Sequence, residues 1–352
     1  MQTLVFTNDV AGELVRRIDE AHPYGTYALA DSNTSRLVWS RLVECRPELG
    51  DVKLIVIPAG DVNKNIDSLT HIWSELQRMG ANRHSLMINV GGGMVTDIGG
   101  FAASTFKRGM RFMNVPTTLL GAVDAAVGGK TGINFGGLKN EVGVFREAET
   151  VIISTCVFSS LPAAELYSGY AEMIKHGLLE GGEALSRLLE YDPVSADYDR
   201  LLVLLEESVG VKRRVVSEDP FEKGLRKSLN LGHTVGHAFE SLAMEKKHPV
   251  AHGYAVAWGI VVELVLSHMH KEFSSDWLRR ISDYVKLHYG APAVECSDYP
   301  RLLELMHHDK KNLDSRINFT LMEAPGVVAL DCTSDEDDIM TAMDIFRDLM
   351  SI

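Results

Sequence analysis

The chain has 352 residues, of which 45% are hydrophobic and 24% charged, and a formal net charge of −13. That length is enough for two domains with a large core, and the charged fraction is ordinary for a soluble protein. A diffuse negative balance argues against nucleic acid or an anionic membrane as the main partner, yet leaves room for a small anionic substrate in a locally basic pocket. The cysteines at 45, 156, 296 and 332 are scattered with no CxxC pair, so neither a zinc ribbon nor a disulfide framework is expected, and reduced thiols in the cytoplasm are. "MQTLVFTNDV" lacks the basic start and long apolar run of a secretory leader.

In chain order, "TLVF", "YALAD", "VKLIVIP", "SLMINV", "RFMNVP" and "TVIIS" read as strands. Between them lie amphipathic stretches such as Ile66 to Met79, with apolar residues at Ile66, Leu69, Ile72, Trp73 and Leu76. Strands alternating with helices imply a largely parallel sheet. After Thr155 the texture turns helical, with "RINFTLM" and "GVVAL" as late strand signals. The expectation is an α/β, Rossmann-like domain over 1–155 and a mainly helical domain over 156–352, with a cleft between them. "AVAWGIVVELVLSH" is the most apolar segment; interrupted by Glu263 and too short to span a bilayer, it reads as a buried helix. "SDEDD" at 334–338 reads as a solvated helix start with Ser334 as its N-cap.

"SLMINVGGGMVTDIGGFAAS" reads as strand, glycine turn and helix. Gly91, Gly92 and Gly93 allow close backbone approach, and the following helix start suits a pyrophosphate. Thr96 stands where the third glycine of GxGxxG would fall, so this is not the ordinary dinucleotide fingerprint. Thr117 and Thr118 follow a strand end, where a nucleotide would lie. Asp124 and Lys130 place opposite charges in a segment otherwise small and apolar, and a structural ion pair is the plain alternative.

His233 and His237 lie four apart, on one helical face, a spacing that could hold a metal. The residue after His233 is Thr234, so the general base of HExxH is missing. A second alternative is a Glu/His/His set of Glu172, His233 and His252, with a fourth position open as in catalytic zinc sites; the plain reading is that most of the thirteen histidines are surface or core residues. Lys212, Glu222, Arg226 and Asn230 precede the histidines, and Lys310 and Lys311 follow in "HHDKKN". These read either as solvated helix faces or as a pocket for a doubly anionic substrate.

"GGGMVTDIGGFAAS", "KRG", "VPTTLLGAVDAAVGGKTGIN", "KNEVGVF", "AEMIKHG", "EDPFEKGLRKSLNLGHTVGHAFE", "HGYAVAWG" and "DKKN" follow one another in an order that resembles the 3-dehydroquinate synthase family of sugar-phosphate cyclases. The resemblance covers about residues 60 to 313. It implies an NAD-binding α/β domain, a helical zinc domain and a homodimer, with no nucleic acid or membrane partner. The metal set it implies is Glu172, His233 and His252, with zinc as the ion and cobalt able to replace it. Asp31, Asp61, Lys64, Gly92, Gly93, Asp97, Thr117, Thr118 and Lys139 match nucleotide contacts. Arg108, Lys130, Asn140, Arg226, Asn230 and Lys310 match substrate contacts, Arg108 reaching across the dimer. Lys175, Glu222, Lys212, His237 and Asp124 match residues near the reacting atoms. The chain departs from the family pattern at Asp61 and Tyr254, where glutamates are common, in "GLKN", and in a longer run between His233 and His252.

The implied reaction is a carbon–oxygen lyase step of the shikimate pathway: 3-deoxy-D-arabino-heptulosonate 7-phosphate, a small anionic sugar phosphate, becomes 3-dehydroquinate and phosphate. NAD would be reduced and restored within one turnover, around phosphate elimination, ring opening and aldol closure. The rival readings are a 2-epi-5-epi-valiolone synthase-like cyclase, a metal-dependent polyol dehydrogenase and a non-catalytic descendant. Retained Asn230 and Lys310 favour the dehydroquinate reaction over the first.

Overall fold

The computed structural model describes residues 2–307 and 317–352. The chain folds as two compact units. The first holds the residues up to Pro162 together with Ala196–Val209, and the second holds Ala163–Ser195 and Gly210–Ile352.

In the first unit the strands are β1 (Thr3–Phe6), β2 (Thr26–Asp31), β3 (Lys53–Ile57), β4 (Leu86–Gly91), β5 (Arg111–Pro116), β6 (Lys130–Phe135), β7 (Leu138–Phe145) and β8 (Thr150–Ile153). Six form a sheet in the order β1-β8-β5-β4-β2-β3, every pairing parallel. Its helices are α1 (Val10–Ala21), α2 (Ser40–Cys45), α3 (Ile66–Arg78) and α4 (Gly93–Thr105). β4 is buried at every position, which is why its sequence is a continuous apolar run rather than an alternating one. The exception is Asn89, whose Nδ2 donates to Asn114 Oδ1 on β5 at 2.8 Å. α3 starts where Asn65 accepts from the N–H groups of Asp67 and Ser68, an ordinary N-cap.

β6 and β7 form a separate antiparallel hairpin that the strand pattern does not announce. Left-handed glycines make its bends: Gly136 and Gly137 have φ of 59° and 82°. Where the strands cross, a Cβ on Gly132 would stand 2.6 Å from Val142 O. β7 is exposed along its whole length.

The second unit contains α5 (Ala163–Glu180), α6 (Gly182–Leu189), the later part of α7 (Tyr198–Glu218), α8 (His233–Glu245), α9 (His252–Lys271), α10 (Ser275–Tyr289), α11 (Tyr299–His307) and α12 (Glu336–Met350). β9 (Asn318–Ala324) and β10 (Val327–Thr333) pair antiparallel beside them. The fold class is therefore the expected one, a Rossmann-like parallel sheet followed by a mainly helical part. α9 is the buried helix expected from its apolar run, and Glu263 within it is fully buried. The expected N-cap of α12 is corrected: Asp335, not Ser334, accepts from Asp338 N–H at 2.9 Å, because the helix begins one residue later, at Glu336. No helix among the described residues is long and apolar enough to cross a membrane.

Candidate functional site

In the first unit, Gly91, Gly92 and Gly93 join β4 to α4. None of them has a left-handed backbone, so the need for glycine is spatial. A Cβ on Gly91 would lie 2.5 Å from Val95 Cβ, and one on Gly92 would lie 3.0 Å from Thr118 Cγ2. Gly92 gives α4 no side-chain cap, which leaves first-turn N–H groups available to a ligand. Thr117 follows β5, and its buried Oγ1 has no hydrogen-bond partner. Thr118 Oγ1 accepts from Gly121 N–H at 3.0 Å. A cradle this narrow, with an unsatisfied hydroxyl beside it, fits the phosphates and ribose of a dinucleotide.

Buried Lys64 gathers two further expected residues, donating to Asp97 Oδ2 and to Asn140 Oδ1. Asp61 is exposed and its Oδ2 accepts from Asn134 Nδ2 at 3.2 Å. Asn134 N–H in turn donates to Lys64 O at 2.8 Å, so the β6–β7 hairpin is fastened to this corner. Asp31, at the end of β2, has one oxygen engaged with its own turn, accepting from Asn33 and Thr34 N–H groups at 2.7 and 2.9 Å. Asp124 is half-buried in a π-type turn over Gly121–Ala125, while Lys130 and Lys139 are exposed on the hairpin. Exposed Arg108 has φ of 67°, between Lys107 at 52° and Gly109 at 117°. Consecutive non-glycine residues in the left-handed region are costly and need support from their surroundings.

In the second unit, α5 carries Glu172 and Lys175, and α8 and α9 begin at His233 and His252. Glu172 Oε1 is buried with no hydrogen-bond partner, and faces His233 Nε2 at 3.5 Å and His252 Nε2 at 3.7 Å. One ligand atom from each of the three lies within 4.8 Å of the others, so together they could hold a metal ion. Donors about 2.1 Å from a common tetrahedral ion sit about 3.4 Å apart, and an orphaned carboxylate oxygen between two ring nitrogens is the arrangement an ion would satisfy. Glu172 Oε2 accepts from Lys175 Nζ. Burial raises the Glu172 pKa, but Lys175 and the two histidines outweigh it and hold the carboxyl well below its ordinary range. His252 is lowered by burial and raised more by Glu172 and Glu240, reaching about 9 without metal. His237 is exposed and stands one turn on, its ring 5.4 Å from that of His233 and 6.0 Å from that of His252. It is not one of the three converging residues, so the 233–237 spacing does not by itself build the cluster.

The basic residues of this unit are partly buried. Lys175, Lys212 and Arg226 are all below a tenth exposed. Arg226 Nη1 donates to Pro220 O at 2.8 Å, and Asn230 Nδ2 donates to Glu222 Oε1 at 3.0 Å. Lys310 lies outside the described residues. Two acids not assigned a role from sequence organise these groups. Asp219 accepts from the N–H groups of Lys223, Gly224 and Arg226, which hold its carboxyl below the ordinary range and shape the loop carrying Glu222. Glu263 accepts from Gly232 and Val235 N–H at the start of α8; a lone charge inside an apolar helix was its signal. The glycines flanking His233 serve helix packing: a Cβ on Gly232 would meet Ile260 Cγ1 at 2.5 Å, and one on Gly236 would meet Ala255 O at 3.0 Å.

The family model described as 3-dehydroquinate synthase N-terminal matches residues 54–168, and its C-terminal counterpart matches residues 169–312. The chain is similar to a 3-dehydroquinate synthase of Parabacteroides distasonis, 46% identical over 351 residues, with 100% of this chain and 99% of the relative covered. Its fold is similar to that of a solved 2-deoxy-scyllo-inosose synthase complexed with carbaglucose-6-phosphate, NAD+ and Co2+, with a TM-score of 0.82, 23% identity and 98% and 96% of the two chains covered. It is also similar to 2-epi-5-epi-valiolone synthase from Streptomyces hygroscopicus with NAD+ and Zn2+ bound, with a TM-score of 0.83, 21% identity and 99% and 97% covered. Matched along both halves by that family's models and along its full length by a curated relative, the chain belongs to the 3-dehydroquinate synthase family.

Proposed function

We propose that the chain converts 3-deoxy-D-arabino-heptulosonate 7-phosphate to 3-dehydroquinate and phosphate, using NAD and a zinc ion that cobalt can replace. The observation that carries this reading is the convergence of Glu172, His233 and His252 around an orphaned carboxylate oxygen. It is supported by the name of the relative at 46% identity and by the NAD+ and Co2+ or Zn2+ in solved structures of like fold. When bound, NAD would take up and return a hydride, and zinc would make a substrate hydroxyl more acidic.

The chain's own residues have distinct tasks. Gly92, Gly93, Thr117 and Thr118 cradle the dinucleotide, with Asp31, Asp61, Lys64, Asp97 and Lys139 around it. Lys175 keeps Glu172 ionised and ready to ligate. Lys130, Lys212, Arg226 and Lys310 bind the substrate's anionic ends, with Asn140, Asn230 and a partner protomer's copy of Arg108. Glu222, which accepts a hydrogen bond from Asn230, lies near the reacting hydroxyl, with Asp124. His237, beside both ligand histidines but outside the set, relays a proton. A set of substrate-binding residues rich in cations and poor in spare bases is consistent with the departing phosphate accepting the proton itself. The division of labour follows the nucleotide-binding 1–155 and metal-binding 156–352 halves of the sequence.

A homodimer is supported by the hairpin's exposed apolar side chains, with Leu138, Val142 and Val144 at alternate positions along one face of β7, since exposed apolar surface of this kind marks an interface. A cytoplasmic location is supported by four free cysteines. The test supplies purified protein, zinc and NAD with heptulosonate 7-phosphate and measures phosphate and dehydroquinate. No phosphate release would sink this reading, and NADH accumulating in proportion to substrate would mark a dehydrogenase instead.

A further inference from the structure

His233 and His252 are each the first residue of their helix. A helix start carries about half a positive charge from its aligned peptide dipoles. Two such ends beside a divalent cation oppose its binding, and neither Gly232 nor Ala251, the preceding residues, offers a capping side chain. Within the ligand set the opposing negative charge comes from Glu172 alone, and its second oxygen is engaged with Lys175. A site of this design calls for another acid.

Glu240 occupies that place. On α8, His233, His237 and Glu240 stand at i, i+4 and i+7, along one face. Glu240 is half-buried, and its Oε2 lies 3.0 Å from His252 Nδ1, while the opposite nitrogen of the same ring faces Glu172. His233 is held differently, with its Nδ1 3.2 Å from the backbone oxygen of Leu231. A proton on Nδ1 of each ring satisfies both acceptors and leaves both Nε2 lone pairs for an ion. One histidine is thus oriented by a neutral carbonyl and the other by a full negative charge.

We infer that Glu240 is a positioning residue of the metal centre, fixing the tautomer and direction of His252 and adding the second negative charge that the two helix starts require. This rests on the zinc reading proposed above. A carboxylate that only tied α8 to α9 would change stability and leave the ion's affinity and ligand field alone. Partners of ligating histidines of this kind typically alter metal affinity by about 10- to 100-fold.

The experiment uses the full chain as wild type, Glu240→Ala, Glu240→Gln and His252→Ala. Each is stripped of metal and titrated with Zn2+ against a chromophoric chelator, then loaded with Co2+ for its visible spectrum. Glu240→Ala is expected to bind zinc about 10- to 100-fold more weakly and to shift the cobalt bands. Glu240→Gln, which keeps an acceptor for Nδ1–H without the charge, is expected to fall between Ala and wild type, and decides the matter if Glu240→Ala does not fold. Zinc affinity and a cobalt spectrum equal to wild type in a folded variant would overturn the inference while leaving the metal assignment intact. Wild type that takes up neither ion, or His252→Ala that keeps full affinity, overturns the metal assignment itself and the inference with it.

Discussion

Glu263, in the middle of the apolar helix α9, accepts a hydrogen bond from the backbone N–H of Gly232 at 2.6 Å, one residue before His233. It also reaches Val235 N–H at 3.4 Å. A buried acid on one helix thereby satisfies donors at the start of another. Replacing Glu263 by Leu leaves those N–H groups buried and unpaired, at about 1–3 kcal/mol each. Glu263→Leu should therefore unfold at lower urea and bind zinc more weakly, and Glu263→Gln, which keeps an acceptor, should lose less of both. Urea melts with parallel metal titrations give the comparison; a Leu variant as stable as wild type would remove the capping role.

Close approach of α8 and α9 gives a second expectation. A Cβ on Gly259 would stand 2.0 Å from Gly232 O and 2.7 Å from Gly236 N. Both contacts are backbone, so no side chain can swing aside. Gly259→Ala should cost about 3 kcal/mol or more, at the upper end of overpacking effects, and should disturb His233 and His252 together. Thermal unfolding with and without zinc would reveal it as a lowered midpoint that zinc restores less fully than in wild type.

The two histidines of "GHTVGH" should separate cleanly on mutation. His233→Ala is expected to lose zinc and activity together. His237→Ala should retain its zinc and lose activity by about 10²- to 10⁴-fold, the range for a positioned proton-transfer group. Metal content by elemental analysis beside kcat is the measurement, and zinc loss in His237→Ala would move that residue into the ligand set.

A titration outside the three-residue cluster should tune stability. Half-buried His288 has its Nδ1 3.0 Å from the Tyr167 hydroxyl, which donates to Asp192 at 2.9 Å. Burial lowers the His288 pKa below 6.5, outweighing the opposing pull of Asp192. The unfolded chain then takes up the proton more readily, so stability rises with pH across this range. The contribution of His288 is whole above about pH 6.5 and is lost as pH falls through its folded-state value. Partial exposure keeps that contribution small. Denaturation at pH 7.5 and pH 5 should show a smaller drop for His288→Phe than for wild type.

The exposed hairpin makes the oligomeric state testable. Phe145, at the end of β7, is 80% exposed. If the hairpin joins two copies, Phe145→Asp on one face and Val142→Asp on the other test both sides, and the one at the seam should shift sedimentation from dimer to monomer, with activity lost if Arg108 serves the neighbouring protomer. An unchanged sedimentation coefficient in both variants would place the interface elsewhere.

Much of the sheet was legible because its inner strands, β2, β4, β5 and β8, are buried on both faces. Leu86–Val90 and Thr150–Ile153 are apolar runs bounded by turn residues, and α3 shows its helical period plainly. The β6–β7 hairpin was not legible, since "KTGINFGGLKNEVGVF" is glycine-rich and β7 faces solvent throughout, so burial imposes no alternation on it. At the candidate site, spacing left the histidine pair and the Glu/His/His set as open alternatives, and family resemblance favoured the second. Periodicity links residues within a helix, whereas Glu172, His233 and His252 stand on three. Glu240 had a faint local signal, seven residues after His233, but its partner His252 is on another helix and no pattern within α8 points to it.

Contributions from three separate helices also bear on the order of assembly. During synthesis, a chain that has just completed α5 possesses the carboxylate but neither imidazole. Ion capture is therefore a late event that reports on a finished bundle rather than seeding it. An ion held only by the folded chain adds about 2.7 kcal/mol when its free concentration is a hundred times its dissociation constant. Scarcity of metal would then be felt as a shorter lifetime of the protein as well as a slower enzyme.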